Sequence, residues 1–164
     1  MILVAIGANL SDPGSGRTPR DTCEWAATAL AGLPGLAFVA LSRWFASRPV
    51  PEAPGQPDYV NGVVRLEGDA SPAALLAALQ AIEVAAGRVR SVPNAARTLD
   101  LDIIAMGDLL RSAPDPILPH PRAHLRRFVL EPLADVAPEW RHPALGLGVA
   151  DLLHRLPPAA IRPL

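Results

Sequence analysis

Arg88, Arg90, Arg97, Asp100 and Asp102 fall within fifteen residues of one another. Around the two acids the chain reads Arg97-Thr98-Leu99-Asp100-Leu101-Asp102-Ile103-Ile104. Leu99, Leu101 and Ile103 alternate with the aspartates, which is the period of a half-buried β-strand. Both carboxylates then share one face, roughly 7 Å apart at Cα. Ionised carboxylates that close repel, and a hard cation between them removes the repulsion. Mg²⁺ takes one or two carboxylates and fills its shell with water and phosphate oxygens. Arginine holds phosphate bidentately. The same five residues could therefore serve phosphoryl transfer, in which a protein positions groups and neutralises charge. They could equally be ion pairs on a solvated strand face, since alternation always produces a polar side.

Composition narrows the classes. The 164 residues are enough for one domain, taken as 1–164, with a sizeable core. Half are hydrophobic and the net charge is −1, which argues against disorder and against a general attraction to nucleic acid or an anionic membrane. The apolar run Met1–Ile6 has no basic flank and is too short for a signal peptide, and no stretch reaches transmembrane length. The lone Cys23 fits a reducing, cytoplasmic compartment. All 15 basic residues are arginine. With no lysine, a Schiff-base lysine and a Walker A lysine are excluded.

The elements that must position these groups follow from periodicity and punctuation. Residues 1–8 read as a strand, ending at Gly7-Ala8-Asn9-Leu10. A helix follows from about Thr18 to Leu33, with Thr18 and Pro19 suited to its start. Leu36 to Phe45 reads as one strand, residues 48–58 as a proline-rich loop, and Tyr59 to Glu67 as a strand antiparallel to the previous one. Ser71-Pro72 opens a second helix with Leu75, Leu76, Leu79 and Ile82 on its apolar face. Gln80 and Glu83 read there as solvated surface. After the Asp strand come a turn at Gly107-Asp108, a short strand over 109–111, and short helices over 131–136 and 149–156. The proline-rich C-terminal tail carries no signal. The order strand, helix, strand, strand, helix, strand is that of an α+β, ferredoxin-like βαββαβ core: an antiparallel sheet with helices on one face, here with a short C-terminal helical extension.

Several segments taken together resemble one family. They are Ala5-Ile6-Gly7-Ala8-Asn9-Leu10, Gln56-Pro57-Asp58-Tyr59-Val60-Asn61, Gly87-Arg88-Val89-Arg90, residues 97–103, and Pro119-His120-Pro121-Arg122 with Arg126-Arg127-Phe128-Val129-Leu130. In this order and spacing they resemble the 6-hydroxymethyl-7,8-dihydropterin pyrophosphokinases of folate biosynthesis. The resemblance implies transfer of the β,γ-pyrophosphate of ATP to the pterin hydroxymethyl group, leaving AMP. It implies two Mg²⁺ ions held by Asp100 and Asp102, with Arg88 and Arg97 meeting the phosphates during transfer. Arg88, Arg90, Arg97, Leu76, Gln80, Ile103, His120 and Arg126 match the ATP side. Ser47, Val50, Tyr59, Asn61 and Phe128 match the pterin side, Ser47 to Val50 through the backbone. Tyr59 and Phe128 would stack on the ring, since an aromatic side chain offers large area at low entropy cost; core packing is the plainer use of both. Asn61 would read the aminopyrimidinone edge, because an amide both donates and accepts. The partners implied are small molecules, ATP and the hydroxymethyldihydropterin, acting on a monomer.

One segment departs from that pattern. Where the family usually carries an Arg-Trp-Gly-Pro-like run, this chain has Ser91-Val92-Pro93-Asn94-Ala95-Ala96, with no tryptophan and one arginine fewer. A non-catalytic relative that holds pterin or nucleotide is the alternative this loop suggests.

Overall fold

The alternation of β1 (Ile2–Ala8) sorts the core in two. Ile2, Val4, Ile6 and Ala8 face α1 (Pro19–Ala31) and α2 (Pro72–Ala85), meeting Cys23, Ala26 and Leu30 of the first helix and Leu75, Leu79 and Ile82 of the second. Leu3 points to the other side of the sheet. There it joins Val63 and Ile104 under α3 (Arg127–Val136) and α4 (Val149–His154). Leu3, Leu30, Leu79, Leu130 and Leu133 are fully buried, each worth about 1.5–3 kcal/mol of transfer free energy. The chain is seen in a computed structural model that describes residues 1–11, 16–48, 57–87 and 98–164.

Among the described residues the sheet has six strands. β5 (Asp100–Met106), β1, β4 (Tyr59–Gly68), β3 (Phe45–Ser47) and β6 (Ile161–Pro163) run in that spatial order, and β2 (Leu36–Leu41) pairs with the other end of β4. Every pairing is antiparallel. The α+β class and the antiparallel sheet stand as the sequence implies. The helices do not sit on one face only. α3 carries Val129, Leu130, Leu133 and Val136 at helical spacing, and the second face of the sheet supplies the apolar surface they cover.

Local chemistry sets the boundaries. Thr18 and Asp21 close a capping box on α1, and Ser71 Oγ accepts from Ala74 N–H at the start of α2. The strand expected over 36–45 is broken. Ser42 Oγ accepts from Val63 N–H, taking the place of a ladder bond. Asp135 of α3 accepts from both the backbone and the side chain of Arg43. The Trp44 indole then packs on Gly62, where a Cβ would collide with it. Residues 109–111 form only an isolated bridge, Arg111 with Leu118. α3 begins at Arg127 rather than Glu131: Pro132, which suits a helix start, sits inside it at the loss of one backbone bond. The C-terminal tail is not without structure, because Ile161–Pro163 adds β6 to the edge of β3.

Candidate functional site

Asp100 and Asp102 lie on β5 with Leu101 and Ile103 buried against α1 and α2. The two carboxylates therefore project from the opposite face, the one under α3. Register then aligns a row of residues across the sheet. Asp100 pairs with Gly7, Gly7 with Asn61, and Asn61 with Phe45. At the usual spacing between strands, Asp100 and Asn61 are about 10 Å apart at Cα, with only a glycine between them. A Cβ on Gly7 would come within 3.0 Å of Asn61 Nδ2. Tyr59 shares a face of β4 with Asn61 by the two-residue period. Phe128, in the first turn of α3, packs half-buried over this same side of the sheet.

Two anchors hold the Asp strand. Glu83 of α2 is 2 % exposed, and its Oε2 accepts the N–H of Leu101 at 2.9 Å. The expectation that Glu83 is solvated helix surface is thus corrected: the helix lies against the outer edge of β5, and Glu83 satisfies an edge donor there. Thr98 Oγ1 donates to Ala86 O at 3.1 Å, so the chain leaves α2 and enters β5 at one point. Residues 88–97, with Arg88, Arg90 and Arg97, lie outside the described residues. Val50 also lies outside them.

His120 is placed by a bulge. Leu3 pairs with Ala105 and Val4 with Ile103, which skips Ile104. The Ile104 carbonyl accepts the N–H of His120. This sets His120 Nε2 3.9 Å from Asp102 Oδ1. His120 Nδ1 accepts from Arg122 N–H at 3.1 Å, so the ring proton is on Nε2 and faces the carboxylate. Burial first, then Arg126, pull its pKa down to about 4, with Arg122 adding to them and Asp100 opposing. The imidazole is neutral, and its approach to Asp102 is that of an N–H dipole rather than an ion pair.

Arg126 and Arg127 behave differently although adjacent. Arg127 donates to Leu153, Leu156 and Pro157 carbonyls and to Glu131, which fixes the end of α4. Among the described residues Arg126 makes no ion pair; its guanidinium stacks 5.4 Å from the ring centroid of Phe128. Leu76 and Gln80 are half-buried on α2, and Leu76 packs on the α1 and α2 side. The Ile103 side chain is buried there too. Its backbone, two residues from Leu101, turns to the same outer edge of β5. Ser47 Oγ donates to Asn61 Oδ1 at 2.8 Å, and both residues are 6 % exposed.

The structure thus brings Asp100, Asp102, His120, Arg126, Phe128, Asn61 and Tyr59 to one side of the sheet. It adds three residues that sequence reasoning gave no role: Glu83, the Gly7 floor, and Asn9, which is buried and donates to Pro57 O at 3.4 Å just ahead of Tyr59. Among the described residues no three His, Cys, Asp or Glu side chains cluster as a metal cage. A cation at the Asp pair would draw its other ligands from water and a phosphate, which suits Mg²⁺. No helix among the described residues is long and apolar enough to cross a membrane.

Comparisons with known proteins give the family and the fold. The pattern of the 7,8-dihydro-6-hydroxymethylpterin-pyrophosphokinase (HPPK) family matches residues 3–138. A 2-amino-4-hydroxy-6-hydroxymethyldihydropteridine pyrophosphokinase of Pseudomonas aeruginosa is 42 % identical over 156 residues, covering 95 % of this chain and 91 % of that one. The Haemophilus influenzae protein of the same name is 37 % identical over 134 residues, covering 82 % and 79 %. In fold, the chain is similar to a Plasmodium falciparum HPPK-DHPS crystal structure, with a TM-score of 0.68 at 12 % identity. The match covers 94 % of this chain and 44 % of that longer one. The chain belongs to the 7,8-dihydro-6-hydroxymethylpterin-pyrophosphokinase family.

Proposed function

We propose that the chain transfers pyrophosphate from ATP to 6-hydroxymethyl-7,8-dihydropterin, giving the pterin diphosphate and AMP. The observation that carries this is the in-register row from Asn61 across Gly7 to Asp100. An amide that can read a heteroaromatic edge stands at one end, a flat floor lies in the middle, and a carboxylate pair stands at the other. A flat ring whose polar edge meets the Asn61 amide, which itself overhangs Gly7, would turn its hydroxymethyl group toward the aspartates. Tyr59 and Phe128 supply the stacking faces.

In the reaction the hydroxyl oxygen bonds to the β-phosphorus as the bond to the α,β-bridging oxygen breaks. AMP leaves with that electron pair. Asp100 and Asp102 would hold two Mg²⁺ ions, which neutralise the triphosphate and acidify the hydroxyl when bound. One of the two carboxylates would take the hydroxyl proton. The neutral Nε2–H of His120 donates toward Asp102 or a phosphate oxygen, and Arg126 swings from Phe128 to the triphosphate. Arg88 and Arg97 would meet the phosphates, with Arg90 on the ATP side, as the family resemblance implies. Leu76, Gln80 and the outer-edge backbone of Ile103 form the nucleotide side, and Ser47 and Val50 flank the pterin.

We also read 1–164 as one pyrophosphokinase domain with a ferredoxin-like core. The order β5-β1-β4, with β2 and β3 beyond β4 and both α1 and α2 on one face, supports this. A cytoplasmic monomer fits the single buried thiol of Cys23. The test is chromatography of products from MgATP and the reduced hydroxymethylpterin. AMP and pterin diphosphate in equal amounts support the reading. ADP in place of AMP overturns the transfer chemistry, and bound pterin with no product restores the non-catalytic alternative.

A further inference from the structure

We propose that Ser47 is a positioning residue that sets how Asn61 presents its amide to the ring. This rests on the pyrophosphokinase reading above. An asparagine amide has two ends of similar shape and opposite hydrogen-bonding sense, so a free one reads a ligand edge either way round. Here one end is held. Ser47 Oγ donates to Asn61 Oδ1 at 2.8 Å between adjacent strands. Both side chains are buried, where such a bond is strong and its loss leaves polar atoms unpaired.

With Oδ1 held toward β3, Nδ2 lies over Gly7, close enough that a Cβ there would crowd it at 3.0 Å. The amide therefore offers its two N–H groups toward the glycine floor, on the side of β1 and the aspartates. It keeps one lone pair of Oδ1 for a donor of the ring. An edge with an acceptor over Gly7 is favoured, and the reversed edge meets donor against donor. β6 holds this arrangement from outside, since Ile161 pairs with Ser47 on the far side of β3.

The experiment compares the whole protein with Ser47→Ala, Ser47→Thr, Asn61→Ala and the Ser47→Ala/Asn61→Ala double variant. Pterin binding is measured by fluorescence titration, turnover by AMP formation, and folding by thermal melting. Removing the pin should raise Kd and KM for the pterin about tenfold, as expected for one buried hydrogen bond. KM for ATP should stay unchanged and kcat should change little. Ser47→Thr, which keeps the hydroxyl, should restore binding. In the Asn61→Ala background, Ser47→Ala should add nothing. Equal losses from Ser47→Ala with and without Asn61, or a fall in melting temperature with no change in pterin affinity, would overturn the proposal. If the wild-type chain neither binds nor converts the pterin, the pyrophosphokinase reading itself falls, and this inference with it.

Discussion

The carboxylate of Glu83 accepts the backbone N–H of Leu101, the residue between the two aspartates, at 2.9 Å. Glu83 is buried in the last turn of α2, so this bond ties the end of the helix to the outer edge of the Asp strand. Glu83→Ala should cost about 1–3 kcal/mol, because it strands a buried donor and removes packed atoms. It should also lower kcat, because Leu101 stands between Asp100 and Asp102. Glu83→Gln retains an acceptor and should do less on both counts. Denaturant midpoints and steady-state rates check this; equal effects from Ala and Gln would mean that the Leu101 bond contributes little.

Among the described residues the Arg126 guanidinium makes no hydrogen bond or ion pair and stacks on Phe128, whereas Arg127 is tied to four groups. Arg126→Ala should therefore lower kcat/KM for ATP by about tenfold to a hundredfold, in the range of one lost charge-stabilising donor. The melting temperature should hardly move. Arg127→Ala should show the reverse pattern, since its donors fix α4. A stability loss at Arg126 without a kinetic one would contradict the assignment.

Two histidines make stability depend on pH. Burial, then Arg126, lowers His120 to about 4, and burial, then His124, lowers His142. His142 Nδ1 accepts from the N–H groups of Ala144 and Leu145, and protonation would break both bonds. An unfolded histidine titrates near about 6.5. Below that pH the unfolded chain binds protons that the folded one refuses, so stability falls as the pH drops. The melting temperature should be level above about pH 6.5 and decline toward pH 4. His120→Asn with His142→Asn keeps an acceptor at each site and should flatten the decline. An unchanged slope in the double variant would show that other groups set it.

Much of this was legible in the sequence where the signal is local. Thr18 and Ser71 mark helix starts because the cap and its target lie three residues apart. The alternation through Asp100 and Asp102 needs no partner to be read. What escaped depends on distant chain. Nothing near residue 42 shows that Ser42 will take the N–H of Val63 and break a strand. Glu83 looks like solvated surface until β5 is laid against α2. Pro132 hides the first turn of α3 because proline is a frequent helix opener. Ile161–Pro163 becomes a strand only because β3 offers an edge. The site showed the same division: Asp100, Asp102 and Asn61 are visible by type, while the flat floor at Gly7 appears only in the register of three strands.

The carboxylate pair of Asp100 and Asp102 carries the proposed reaction. The most direct measurement is AMP and pterin diphosphate formation by Asp100→Ala and Asp102→Ala as Mg²⁺ is titrated, beside the melting temperature of each variant without metal. The prediction is that the wild-type chain turns over only with Mg²⁺ and that each variant loses at least about a hundredfold in rate. Each variant should still melt cooperatively, so that the lost rate is not lost folding. Near-normal, Mg²⁺-dependent turnover in either variant would contradict the assignment of the pair as the metal site.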